Sequence, residues 1–175
     1  MQSGQQRAAA VIEALRAAGQ TVAAAESLTG GLLTATLTAI PGSSDVVRGA
    51  LVVYATELKH TLARVPQDLL DSRGPVDPEV AAALAVGARD VCGASLGLGL
   101  TGVAGPAAQH GHRPGTWFVA LADRAGHVLV RSAVAPAPGS AEADALTRDD
   151  VRWETVDAAL ELLAEIATGT GPEIG

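Results

Sequence analysis

The stretch Ala24-Ala25-Glu26-Ser27-Leu28-Thr29-Gly30-Gly31 decides how the rest of the chain is read. Ahead of it, residues 21–25 are short, small and apolar after Gly19-Gln20, which predicts a buried strand. Behind it, Leu32, Leu33, Ala35, Thr36 and Leu37 run on toward Pro41-Gly42, which predicts a helix. The connection between them is tight and holds two hydroxyls and two glycines. Such a turn presents Ser27 at the end of a strand and aims the N–H groups of a helix start at a ligand. The glycines let that backbone approach the ligand closely. A serine nucleophile beside an oxyanion hole needs this arrangement. Helix capping by Ser27 or Thr29 is the competing reading of these residues alone, and caps far outnumber nucleophiles.

Lys59 is the one lysine among 12 basic residues, and the one tyrosine, Tyr54, stands five positions before it. Arginine keeps its proton in a protein, whereas a desolvated lysine can act as a base. A chain that otherwise uses arginine for positive charge therefore points to Lys59 as a base, against the plainer reading of a leftover surface lysine. His110-Gly111-His112 carries two histidines in a loop but no Cys, Asp or Glu at ligand spacing, so a solvated loop is expected there and no metal.

The 175 residues suit one well-cored domain, with its core over about residues 8–166. Hydrophobic residues make up 48% and aromatics only 2%, so the core is expected to be Ala, Val, Leu and Ile. The net charge of −7, with no basic patch, argues against nucleic acid as a partner. No apolar run is long enough for a membrane span, and Arg7, Glu13 and Arg16 interrupt what a signal peptide would need. The single cysteine, Cys92, is expected to be a buried small hydrophobe in a reducing, cytoplasmic protein.

Along the chain, residues 5–18 read as a helix. Residues 46–55 follow as a strand apolar on both faces, as a central strand is, delivering Tyr54 at its end. Residues 56–64 form a short helix and 67–72 a turn or short helix. Asp77-Pro78-Glu79 is the clearest helix start, with Val80, Leu84, Ala88 and Val91 as the buried stripe. Residues 94–100 are a glycine-rich strand, expected to lie close to a neighbouring element and to enter a loop at Thr101-Gly102-Val103-Ala104-Gly105-Pro106. Residues 107–115 show no periodicity and are expected to be mobile. Residues 116–122 and 128–134 read as a hairpin about Asp123-Arg124-Ala125-Gly126. Residues 136–143 read as a loop, and a last helix spans about 148–167 behind a capping box at Thr147. Alternating strands and helices, then a hairpin and a helix, predict an α/β fold, a three-layer α/β/α sandwich with a mixed sheet. Its parallel strands would bring Ser27, Tyr54 and the Thr101 loop to one edge, where open α/β sheets bind ligands.

Four motifs, in order, resemble the CinA C-terminal family: Ala-Glu-Ser-Leu-Thr-Gly-Gly, Tyr-Ala-Thr-Glu-Leu-Lys, Gly-Pro-Val-Asp-Pro-Glu-Val-Ala and Thr-Gly-Val-Ala-Gly-Pro. The resemblance covers about residues 8–166. It implies a nicotinamide-nucleotide amidohydrolase, converting nicotinamide mononucleotide to nicotinic acid mononucleotide and ammonia. It implies Ser27 as nucleophile with Tyr54 and Lys59 as partners, the same three-layer fold, a homo-oligomer, and the form that stands without a molybdopterin-binding-like domain.

The substrate-facing set expected with it is Thr29, Gly30 and Gly31 in the first turn, Thr101, Gly102, Ala104 and Gly105 in the second, and Arg148. Backbone N–H groups near Gly30 and Gly31 would hold the oxyanion, and the Thr101–Gly105 segment or Arg148 the phosphate, although Asp149 and Asp150 flank Arg148. Lys59, neutral through burial, would take the Ser27 proton directly or through Tyr54. No cofactor is needed for such hydrolysis.

The chain departs from the family pattern at Thr56, where asparagine is usual. It departs again at Ala107-Ala108-Gln109, in place of an acid and paired glycines, and at the shortened Arg113-Pro114-Gly115-Thr116. Of the Gly-Asp-Arg before the last helix, only Arg148 survives. These changes touch the ligand-facing rim and leave the nucleophile motif whole. The competing expectations are a nucleotide-binding module without turnover, or an amidase for another carboxamide.

Overall fold

A computed structural model describes residues 2–169. The chain opens with α1 (Gln2–Ala17) and β1 (Val22–Glu26), then α2 (Leu32–Thr38) and β2 (Val47–Val52). Three helices follow: α3 (Thr56–Thr61), α4 (Gln67–Arg73) and α5 (Pro78–Cys92). The second half is β3 (Leu96–Val103), β4 (Thr116–Ala122), β5 (Val128–Ala133), α6 (Ala141–Ala145) and α7 (Arg148–Thr168).

The strands form one five-stranded sheet in the order β2-β1-β3-β4-β5. β1 is parallel to both β2 and β3, while β3–β4 and β4–β5 are antiparallel. Strand alternation sends Ala24, Leu98 and Val119 to one face, where they meet Ile12 and Leu15 of α1, Leu33 of α2 and Leu160 of α7. Ala23 and Ala25 face the other way, onto Val80, Leu84 and Ala88 of α5. The expected α/β sandwich with a mixed sheet is therefore what the chain forms. Each fully buried Val or Leu contributes about 1.5–3 kcal/mol, so a nearly aromatic-free core suffices when the layers approach closely.

Glycine permits that approach. A Cβ on Gly97 would lie 2.0 Å from the Ala85 carbonyl oxygen, and one on Gly99 2.1 Å from that of Ala81. Here α5 rests directly on β3. A Cβ on Gly87 would come within 1.8 Å of the Ala63 carbonyl oxygen, which binds α5 just as closely to the segment after α3. Asp77 caps α5 by accepting from the Glu79 N–H, with Pro78 at the first helical position. Thr147 and Asp150 form the capping box of α7.

Five expectations are corrected, the last of them for Cys92. β2 lies at the edge of the sheet and is half-buried, with Val52 46% exposed: Val47 and Ala50 pack on one core and Leu51 on the other, but the strand has a neighbour on one side only. Val91 is exposed, and the buried stripe of α5 runs instead through Val80, Ala81, Leu84, Ala85 and Ala88. Thr101, Gly102 and Val103 belong to β3, since their pairing with Phe118, Trp117 and Thr116 prolongs the ladder past Leu100. The segment after β5 contains a helix, α6, capped by Ser140 accepting from the Ala143 N–H. Residues 107–115 include a hydrogen-bonded turn, in which Gln109 and His112 exchange backbone bonds of 3.0 and 2.9 Å. Cys92 is half-buried against the α5 side of the core.

Candidate active site

The C-terminal ends of the parallel strands β1 and β2 bring Ser27 and residues 53–59 together. The turn after β1 is shaped by Glu26. Its carboxylate is fully buried and accepts from the N–H groups of Gly31 (3.0 Å), Leu33 (3.1 Å) and Thr34 (2.8 Å) and from Thr34 Oγ1 (2.5 Å). A carboxylate at a helix N-terminus satisfies orphan donors and the helix dipole together. Neither Ser27 nor Thr29 caps α2; Glu26 does. Its sequence signal was visible as the single acid in a strand of small apolar residues, directly before the serine.

Glu26 also overturns the expected oxyanion donors. The Gly31 N–H is bound to Glu26, and the Gly30 N–H donates to the Ser27 carbonyl at 3.1 Å. Thr29 is fully buried, with its carbonyl taken by Arg152 at 3.0 Å and its hydroxyl without a partner among the described residues. Thr29, Gly30 and Gly31 thus lie outside the cleft wall, because the tight turn folds them back onto its own backbone. The N–H groups of Leu28 and Thr29 are the donors of this turn with no partner among the described residues.

Ser27, 8% exposed, meets Lys59 directly: Lys59 Nζ donates to Ser27 Oγ at 2.8 Å and to the Val53 carbonyl at 3.0 Å. Lys59 is 1% exposed, and burial pushes its pKa down to about 8, with the charge of Glu57 acting in the opposite sense. The neutral amine therefore lies within reach near neutral pH. In that form its lone pair can accept the Ser27 hydroxyl proton while an N–H stays on Val53.

Above this pair opens a cleft of about 200 Å³, whose walls include Tyr54, Thr101, Gly102, Ala104, Gly105 and Arg148. The Thr101 hydroxyl is buried and donates to the Pro75 carbonyl at 2.6 Å. Tyr54 is 60% exposed, and its hydroxyl accepts from Arg148 Nη2 at 2.7 Å, while Arg148 Nη1 donates to the Gly105 carbonyl at 2.7 Å. Tyr54 thus lines the cleft without bonding to Ser27 or Lys59. Asp149 is paired with Arg152, and Asp150 is held in the cap of Thr147, so neither acid claims Arg148. Gln109 and His110 also line the cleft, which the sequence reading had not assigned to it.

His112, by contrast, faces Phe118, so the two histidines of the loop have different neighbours. Among the described residues no group of three or more His, Cys, Asp or Glu converges to hold a metal ion, and no helix is long and apolar enough to cross a membrane.

With the geometry in view, comparison with known proteins gives a consistent result. The family described as the CinA C-terminal domain matches residues 4–167. A CinA-like protein of Myxococcus xanthus is 49% identical over 115 residues, 65% of this chain and 27% of that protein. A CinA-like protein of Frankia casuarinae is 41% identical over 149 residues, 85% of this chain. The chain spans only 27% and 32% of the lengths of these two relatives. Among solved structures, the competence/damage inducible protein CihA of Agrobacterium tumefaciens superposes with a TM-score of 0.82 at 32% identity, covering 91% of this chain and 93% of that one. A CinA superfamily protein of Klebsiella pneumoniae shares the fold at 23% identity, with a TM-score of 0.85, 95% of this chain and 98% of that one.

Proposed function

The chain belongs to the CinA C-terminal domain family, and we propose that it hydrolyses the carboxamide of nicotinamide mononucleotide to nicotinic acid mononucleotide and ammonia. The observation that carries this reading is the 2.8 Å contact between Lys59 Nζ and Ser27 Oγ at the floor of an open cleft. A serine paired with a desolvated lysine is an acyl-transfer arrangement. Neutral Lys59 takes the Ser27 proton as Oγ attacks the carboxamide carbon, and the carbonyl π electrons move onto oxygen. The N–H group of Leu28, which belongs to the cleft wall and has no backbone partner among the described residues, receives that oxyanion, in the place first expected of Gly30 and Gly31. Protonated Lys59 returns the proton to the leaving nitrogen, and ammonia departs as the tetrahedral intermediate collapses to an ester on Ser27. Water then enters with Lys59 again as base, releasing the carboxylic acid and restoring the hydroxyl. The carbonyl of Val53 holds the amine in line through both halves of the cycle.

Ammonia release from nicotinamide mononucleotide by the purified protein tests the reading, with Ser27→Ala as its control. Release by the wild type and none by the variant is the expected pair. Tight binding without release by either would leave a nucleotide-binding module, and release of ammonia only from other carboxamides would move the substrate assignment elsewhere.

A further inference from the structure

We infer that His110 recognises the phosphate of the substrate together with Arg148 at the exposed side of the cleft. The inference rests on the nucleotide reading above and adds to it a residue that sets specificity. Among the described residues no Asp or Glu side chain lines the cleft, although the chain carries a net charge of −7. The ionisable groups of the lining are Lys59, buried at the floor, and the exposed Tyr54, Arg148 and His110. A concave site with such a lining favours an anion. The Lys59 amine is committed to Ser27 and Val53, so the anion falls to the exposed groups. The helix start nearest the nucleophile is no alternative, since Glu26 already occupies the N-terminus of α2. Arg148 has five N–H donors, and its bonds to Gly105 and Tyr54 leave others for a ligand.

The backbone holds His110 in place. Gln109 and His112 exchange two backbone bonds, which leaves His110 and Gly111 as a two-residue turn with φ of 48° and 80°. Histidine is among the few residues besides glycine that enter this region with some frequency. On one side the turn is steadied by His112, whose ring meets Phe118 edge-on at 6.2 Å and 83°. On the other, the His110 ring lies over Gly74, where an added Cβ would stand 3.6 Å from it. The His110 ring nitrogens have no hydrogen-bond partner among the described residues. An imidazole N–H donates to a phosphate oxygen whether or not the ring is charged.

The test is calorimetric binding to the Ser27→Ala protein, with and without His110→Asn, using nicotinamide mononucleotide and nicotinamide riboside. These ligands differ by the phosphate alone. Asparagine suits a left-handed turn position and removes the imidazole. The mononucleotide should bind at least about tenfold more weakly to the His110→Asn protein, with the riboside unchanged within about twofold. Equal weakening of both ligands would reduce His110 to a shaper of the turn. No weakening of either would leave the phosphate to Arg148 alone. Each of these results overturns the inference. Turnover by the wild type separates the two layers of the argument. An intact affinity split without ammonia release removes the hydrolase reading and leaves the phosphate site standing, whereas failure of the mononucleotide to bind removes both.

Discussion

The Tyr54 hydroxyl accepts from Arg148 Nη2 at 2.7 Å, which ties the only tyrosine of the chain to the start of α7 and leaves it unbonded to the Lys59 amine. Tyr54→Phe cuts that tie and leaves the serine–lysine contact alone. Steady-state kinetics should show KM raised about 3–10-fold, the scale of one solvent-exposed hydrogen bond, with kcat within about twofold. The pH midpoint of the rate should stay where it is. A fall in kcat of about 10²-fold would instead give the tyrosine a share in proton transfer.

Lys59→Arg distinguishes a base from a positive charge. Guanidinium stays protonated at any working pH, so the variant should lose at least about 10²–10⁴-fold in kcat while still binding the nucleotide. For the wild type, the rate should rise with pH to a plateau, with a midpoint near the Lys59 pKa of about 8. The active form is the deprotonated one, so activity is lost as pH falls through that value. Retention of most turnover by the arginine variant would end the serine–lysine mechanism.

The same buried amine should cost stability. Its pKa falls from 10.5 in the open chain to about 8 in the fold, so below pH 8 the folded state carries the whole penalty. That amounts to about 3 kcal/mol, and it is relieved as pH rises from 8 toward 10.5. Lys59→Met has no such group to desolvate, although it leaves Val53 and Ser27 without the amine. The stability of the variant relative to wild type should therefore decline by about 3 kcal/mol between pH 7 and 10.5, measured by urea unfolding at each pH. A difference that is flat with pH would mean that Lys59 titrates as an ordinary lysine.

Glu26→Gln tests the cap. The amide keeps one acceptor but turns an NH₂ toward donors that now have no partner, and the charge opposite the helix dipole is lost. Unfolding free energy should fall by about 2–3 kcal/mol, and kcat should fall with it because the serine turn is hung from the same carboxylate. Full stability with full activity would show that α2 holds its place without the carboxylate.

The parts of the site that were legible in the sequence are those written in local chemistry. The lone Lys59, the strand-to-helix turn at Ser27 and the caps at Asp77 and Thr147 each declare themselves through residue type and spacing. What stayed hidden depends on neighbours that periodicity cannot name. Leu51-Val52-Val53 reads as buried on both faces, yet the sheet order leaves β2 at the edge, with Val52 exposed and Val53 turned inward. Gly30 and Gly31 looked like oxyanion donors until the carboxylate of Glu26 was seen to reach over the turn, five residues back from Gly31. The Gln109-His110 wall was hidden because a two-residue turn gives no periodic signal, and only the fold brings it against Gly74.

The Glu26 cap has an evolutionary consequence. By filling the α2 N-terminus from within, the chain keeps that helix start away from any ligand, so the proposed bond-breaking and the ligand choice fall to separate stretches. In the proposed mechanism the reacting atoms come from Ser27 and Lys59, whereas the groups facing the mouth belong largely to residues 101–148. Substitutions confined to the largely exposed loop 106–113 can trade one anion or sugar for another without disturbing Ser27 or Lys59, whereas Thr101 and Gly102 are fixed by the packing of β3. Ala107, Ala108, Gln109 and Arg113 fall within that exposed loop, while Gly115 beyond it is buried. A designer altering ligand preference on this scaffold would randomise that loop and leave Glu26, Ser27 and Lys59 untouched.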